Sequence, residues 1–199
     1  KAVLEAAGEA IVLTDRDGLI QYANPAFERQ TGYTLDEVVG RKTSILKSGH
    51  QTAAFYRDLW KTLLRGETWR GRLTNRRKNG ELYTVEESIS PVQDRRGAIQ
   101  HFVAVERDVT EQLRMENAQR ETERQFQATF EQAAVGMAHV SRSGRLLRVN
   151  RRLAEITGRD LDELAAAALE ALCAPEGAEA LRTAVDSLVA GDEESASLE

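Results

Sequence analysis

The chain has 199 residues, 41% of them apolar and 30% charged, an ordinary balance for a globular protein, and its net charge of −5 argues against a nucleic-acid surface. No targeting signal stands out, and no apolar run approaches the roughly 18 residues needed to cross a bilayer. A single cysteine, Cys173, excludes a disulfide framework and cannot alone hold an iron–sulfur cluster, which fits a reducing, cytoplasmic compartment; His50, His101 and His139 lack metal-ligand spacing, so no protein-bound metal is expected.

The first elements are short. "AIVLTD" and "LIQYAN" flank a Gly-containing turn and read as a hairpin. Asn24 ends the second strand where its side-chain oxygen can cap a helix, and Pro25 suits the first helical position. "TLDE" at 34–37 is a capping box that starts another helix. Farther on, Phe55, Leu59 and Leu63 recur every four residues, with Gly66 after the last, which predicts one amphipathic helix and its stop. Trp60 on that helix is expected to serve packing.

Three strands follow, about 67–78, 81–92 and 98–108, linked by Asn79-Gly80 and by "DRRG" at 94–97. Both residues of Asn-Gly tolerate positive φ, which suits a tight hairpin turn. Strand alternation puts Trp69, Gly71, Leu73 and Asn75 on one face and Arg70, Arg72, Thr74 and Arg76 on the other. The arginines mark the wet side, so Asn75 carries a polar amide toward the interior, where an unpaired amide costs roughly 1–3 kcal/mol. Glu86 and Glu87 point to opposite faces of their strand and cannot form an acid–base pair with each other.

Residues 110–130 hold no Pro or Gly and carry a thin apolar stripe of Leu113, Ala118, Thr122, Phe126 and Phe130, as expected of a linker helix. Self-pairing of that helix in a dimer and a solvated single helix both remain open. Beyond it the chain repeats itself: residues 4–40 overlie 130–166 without a gap, and Glu5/Glu131, Arg16/Arg142, Gly18/Gly144, Asn24/Asn150, Thr31/Thr157, Gly32/Gly158 and Asp36/Asp162 coincide. "DLDE" repeats the helix start with an Asp cap, and helices are expected near 161–173 and 176–190. No counterpart of the three closing strands follows, which leaves an expected open sheet edge and points to a truncated copy.

"ANPAFERQTGYTLDEVVGR", "FYRDLW", "GETWRGRLTNRRKNGELY" and "ISPVQDRRGAIQHFVAVERDVTE" together resemble a PAS domain with its PAC segment, over residues 3–112; residues 128–190 resemble the first half of a second. The resemblance implies an α+β fold: a five-stranded antiparallel sheet with helices on one face, then a linker helix and a C-terminally incomplete second PAS domain. The division expected is 1–110, 111–128 and 129–199. It also implies a sensory or interaction module of a bacterial signalling protein, such as a histidine kinase of a two-component system, whose output domain is not in this sequence.

The resemblance can be tested position by position. Light-oxygen-voltage photoreceptors carry an adduct-forming cysteine where this sequence has Thr43, so adduct photochemistry is excluded. Haem-binding relatives carry an axial histidine where this chain has Phe55, and His50 reads as a loop residue, so haem is disfavoured. Flavin without the thiol survives. Asn75 matches the asparagine that pairs with the flavin's pyrimidine edge, whereas Val85 and Glu106 replace two amides of the photoreceptors. The resemblance to redox-sensing flavin domains implies noncovalent FAD, with FMN ranked behind it, and a binding set of Asn75, Trp69, Leu73, Thr14, Val85 and Glu106. Trp69 has a core reading as well. Glu106 is placed to register a change in flavin charge and pass it toward the linker. The alternative is a ligand-free PAS pair acting as a dimerisation and relay element, or one that binds another small molecule. No phosphate loop, nucleophile elbow or zinc pair suggests an enzyme. The arginines of "RGRLTNRRK" lack interleaved aromatics and read as a solvated strand face rather than a nucleic-acid site.

Overall fold

A computed structural model describes residues 7–165, 167–172 and 177–190, and for 188–190 only the backbone. Cys173 and the Glu5 partner of Glu131 lie outside the described residues. The chain forms two compact units, Lys1–Asn117 and Ala118–Glu199.

In the first unit, β1 (Ala10–Asp15) and β2 (Ile20–Ala23) form the expected hairpin, followed by α1 (Pro25–Thr31), α2 (Leu35–Val38), a 3₁₀ turn (Thr43–Leu46) and α3 (Ala53–Leu64). β3 (Trp69–Arg76), β4 (Leu82–Gln93) and β5 (Ile99–Asp108) complete a five-stranded sheet of order β2-β1-β5-β4-β3, and its four pairings are antiparallel. β5 thus inserts beside β1, and this long-range pairing closes the unit. One face buries Ala10, Val12, Thr14, Leu73, Asn75, Tyr83, Val85, Phe102, Ala104 and Glu106, the period-2 pattern of a sheet with one covered side.

Helix ends follow local chemistry. The Asn24 side chain accepts from Phe27 N–H at 3.0 Å and caps α1, while also accepting from Ile11 N–H and donating to Glu9 C=O. It is therefore a pin between strand and helix as well as a cap. Gly32 ends α1 in the left-handed region at φ 76°, and the Glu37 carboxylate accepts from Thr34 N–H as a capping box requires.

The β3–β4 turn differs from expectation. Asn79 does not take positive φ; Gly80 does, at 92°, with Gly80 N–H on Arg77 C=O and Arg77 N–H on Glu81 C=O. This is a type I turn closed by a left-handed glycine, the three-residue hairpin loop, and it asks nothing unusual of Asn79. The Asp94–Gly97 turn repeats the design, with Gly97 at φ 82°.

Helix α4 (Thr110–Gln132) exceeds the expected 111–128 linker at both ends. The second unit then contains β6 (Ala138–Val140) and β7 (Leu146–Val149) as a two-stranded antiparallel sheet, α5 (Arg151–Thr157), α6 (Leu161–Ala165), a 3₁₀ turn (Leu169–Leu172) and α7 (Ala178–Ala190). The repeat holds at the level of single bonds. Asn150 accepts from Leu153 and Met137 N–H as Asn24 does from Phe27 and Ile11, Thr157 and Thr31 both donate back to the carbonyl four residues earlier, and Gly158 ends its helix at φ 65°. The helix expected over 161–173 is broken. Leu146 N–H bonds to Ala167 C=O and Leu169 N–H to Gly144 C=O, so the hairpin captures the backbone that a continuous helix would need; Ile20 with Arg41 and Thr43 with Gly18 do the same in the first unit. No described helix is long and apolar enough to cross a membrane.

Candidate functional site

Between the sheet's buried face and the helices of the first unit lies a cavity of about 400 Å³, within the usual size range of small-molecule sites. Its wall is mostly apolar: Val12 from β1, Phe27 from α1, Leu46 from the 3₁₀ turn, Leu59 and Leu63 from α3, Ile89 from β4 and Phe102 from β5. A larger hollow of about 740 Å³ beside Arg29, Arg77 and Lys78 is open, and two of these cations are already engaged, Arg77 with Asp108 and Lys78 with Glu37.

Of the six residues expected in the binding set, Thr14, Leu73, Asn75 and Glu106 line the cavity. Trp69 and Val85 stand behind that wall. They pack in the cluster of Leu73 and Tyr83 with Phe55, whose ring meets Trp69 edge-on at 5.7 Å, so the core reading of Trp69 describes its surroundings. The Trp69 ring also lies over Gly71, where a Cβ would come within 2.4 Å of it. Trp60, expected only to pack, instead reaches the cavity wall and meets Phe102 edge-on at 5.5 Å. Thr43 lies on the same wall, His50 is exposed, and Phe55 is half-buried on α3.

Asn75 is 5% exposed and faces the cavity, as strand alternation required. Its polar neighbour is the hydroxyl of the buried Tyr83. Burial pushes that phenol's pKa far up, with the Glu106 charge acting in the same direction against weaker help from Gln30, Asn75 and Arg77.

Sequence reasoning missed Glu87. It is the Cα partner of Glu106 across β4 and β5, and both line the cavity. The available signal was the two-residue step from Val85, which puts Glu87 on the inner face; the cross-strand register that brings it opposite Glu106 has no local signature. Burial raises both carboxyls. Glu106 is pushed up to about 7, with the Asp108 charge adding to the effect, and Glu87 lies well above the ordinary range, with the Glu106 charge as its second cause. The Gln30 amide donates to Glu106 Oε2 at 3.2 Å.

From this end of the cavity, polar contacts lead to the start of α4. Arg77 donates to Gln30 C=O and to Asp108 Oδ2, and its guanidinium lies 4.3 Å from the Tyr83 ring centroid. Asp108 Oδ1 accepts from Thr110 N–H, the first residue of the helix. Burial opposes ionisation of Asp108, but the Thr110 and Arg77 hydrogen bonds outweigh it and hold the carboxyl below its usual range.

A five-stranded sheet of this order, a ligand-sized cavity on its covered face and an Asp-x-Thr hand-over to a helix agree with the fold expected of a PAS domain, and a family model matches over more than half of the chain. The chain belongs to the PAS family. The PAS fold model matches residues 1–109, and a second PAS domain model matches 124–189. The chain is similar to the nitrogen fixation regulatory protein of Klebsiella oxytoca, 42% identical over 108 residues, covering 54% of this chain and 22% of that protein. It is also similar to the aerotaxis receptor of Escherichia coli (strain K12), 34% identical over 99 residues, covering 50% of this chain and 19% of the receptor. This PAS chain thus spans about a fifth of these relatives' length. Among solved structures, an RNA-binding light-oxygen-voltage receptor matches with a TM-score of 0.55 at 28% identity, covering 61% of this chain and 35% of that one.

Proposed function

We propose that the first PAS unit is a flavin-binding redox or oxygen sensor, holding FAD noncovalently, with FMN as the lesser fit, and relaying its state through α4 to an output domain. The observation that carries this reading is Asn75: a buried carboxamide on a rigid strand, facing an apolar slot of ligand size. An isoalloxazine ring has an apolar body and an amide-like pyrimidine edge, the two features that the wall and Asn75 complement. Exposed Lys42 and Lys47 at the cavity rim suit the phosphates of a flavin nucleotide. When bound, a flavin supplies reversible electron uptake with changed charge and protonation at its ring nitrogens.

The chain's own residues do the rest. Thr43 replaces the thiol that adduct chemistry needs, so the site is suited to redox rather than photochemical sensing. Glu106 faces the cavity and contacts Gln30, whose carbonyl is held by Arg77, and Arg77 holds the Asp108 cap of α4. A change of charge beside Glu106 thereby acts on the junction between sheet and helix. The division expected for signalling is a sensor at 1–110, a relay helix from 111 and a second PAS unit from 129, in a cytoplasmic protein that works as a homodimer. The similarity to the aerotaxis receptor and the nitrogen fixation regulatory protein supports the choice of signal.

The visible spectrum of the purified chain, before and after dithionite, tests the proposal. Absorbance near 450 nm that bleaches on reduction is the expected result, and chromatography of the released cofactor separates FAD from FMN. Colourless protein that takes up no flavin on refolding refutes it and favours the ligand-free relay. Light scattering across a concentration series tests the dimer.

A further inference from the structure

Two acidic side chains meet inside the first unit. Glu87 and Glu106 are directly opposed on β4 and β5 on the cavity side of the sheet, and directly opposed residues of an antiparallel pair hold their Cβ atoms roughly 4.5–5.5 Å apart. Like charges so placed, one of them buried, resist ionising together.

Glu106 is buried and Glu87 half-buried, and Glu87 also lines an open hollow with Glu9, Arg70, Arg72, Glu86 and Arg107. Tyr56 from α3, Tyr83 from β4 and Asp108 from the end of β5 face the pair, and Asp17, Lys42 and Lys47 line the same cavity. Lys47 sits over the Tyr56 ring, 4.8 Å from its centroid, and Arg77 is bound to Asp108. Among the described residues no cation forms an ion pair with Glu87 or Glu106; the nearest bonded partner is the neutral Gln30 amide. A second, independent feature points to a ligand at this place: Asn75, 5% exposed, turns its carboxamide into the same cavity.

We infer that Glu87 and Glu106 together retain one proton, carried on one carboxyl or the other, whose O–H donates into the cavity, so that the site selects a planar ligand with an acceptor, a carbonyl oxygen or an imine nitrogen, on the edge beside the one Asn75 reads. The ligand class rests on the flavin proposal; the shared proton does not. Retention of that proton at neutral pH agrees with the upward displacement of both carboxyls. Ligand uptake is then proton-linked: above the pH at which the pair loses its proton, affinity falls by up to about tenfold per pH unit.

Two measurements on the full chain test this. Carboxyl ¹³C NMR of glutamate-labelled protein without ligand, titrated from pH 5 to 9, is expected to show a glutamate that stays protonated above pH 6, and in Glu106→Gln the remaining Glu87 should lose its proton at a lower pH than in wild type, because burial alone then acts on it. Titration of both carboxyls in the ordinary range near 4–5 overturns the inference. Equilibrium dialysis with FAD at pH 6, 7, 8 and 9 should show binding that weakens above neutrality, whereas Glu106→Gln, an N–H donor at every pH, binds with little pH dependence. Wild-type binding that is flat over this range also overturns it. Absence of FAD uptake at every pH, with the shared proton seen by NMR, refutes the flavin proposal alone and leaves the shared proton established.

Discussion

Glu106 on β5 stands directly across from Glu87 on β4, and the two carboxyl groups occupy the covered face of the sheet rather than the wet one. Their placement makes stability depend on pH in an unusual direction. A carboxyl displaced upward, here from 4.5 to about 7 for Glu106, binds more protons in the folded than in the unfolded state. Its contribution is fully present below about 4.5 and is lost as the pH rises through about 7. Urea denaturation should therefore show the apo chain losing stability between pH 5 and 8, by up to about 3 kcal/mol at 1.36 kcal/mol per pH unit of displacement. Glu106→Gln should flatten most of that slope.

Asn75→Ala separates binding from folding. The side chain faces the cavity and gives the core little apolar contact, so the apo variant should stay within about 1 kcal/mol of wild type in urea. On the flavin proposal, retention of the cofactor, read as the ratio of absorbance at 450 nm to that at 280 nm, should drop by tenfold or more, because the proposed ring contact loses its amide. A loss of stability with unchanged flavin content would assign Asn75 to the fold instead.

Asn24→Ala should be among the most damaging single changes in the first unit. The variant leaves Ile11 N–H, Phe27 N–H and Glu9 C=O without their side-chain partner in a site that is 0% exposed. A loss of about 2–4 kcal/mol is expected from equilibrium denaturation. Asn150→Ala should show the same effect on the second unit, where Leu153, Met137, Phe130 and Val135 lose the equivalent bonds.

Arg77→Ala should weaken the junction at the start of α4. It removes the 2.6 Å ion pair to Asp108 and the contact with the Tyr83 ring. About 1–3 kcal/mol of stability should be lost, and amide hydrogen exchange should quicken at Thr110 through Leu113. Arg77→Lys should recover less than half, because an ammonium cannot bridge Asp108 and the Gln30 carbonyl in one planar fork.

Much of this molecule was legible from one-dimensional patterns. The four-residue spacing of Phe55, Leu59 and Leu63 gave α3, period-2 alternation turned Asn75 inward, and the gapless overlay of 4–40 on 130–166 gave two copies whose asparagine pins share three equivalent bonds. These features depend on residues a few positions apart, and local chemistry governs them. The continuous helix expected at 161–173 failed for the opposite reason: hydrogen bonds from the distant β6–β7 hairpin outcompete helical propensity.

Sequence by itself determined the element order, the caps and the inward face of β3, because each follows from local periodicity or turn chemistry, while the resemblance to PAS domains gave the fold family. Only the tertiary structure decided that Trp69 packs behind the cavity while Trp60 reaches its wall, and that Glu87 meets Glu106. Those outcomes depend on how β5 registers against β4 and on how α3 lies over the sheet. Such relations join residues far apart in the chain, and the free energy that selects them comes from burying a whole face at once.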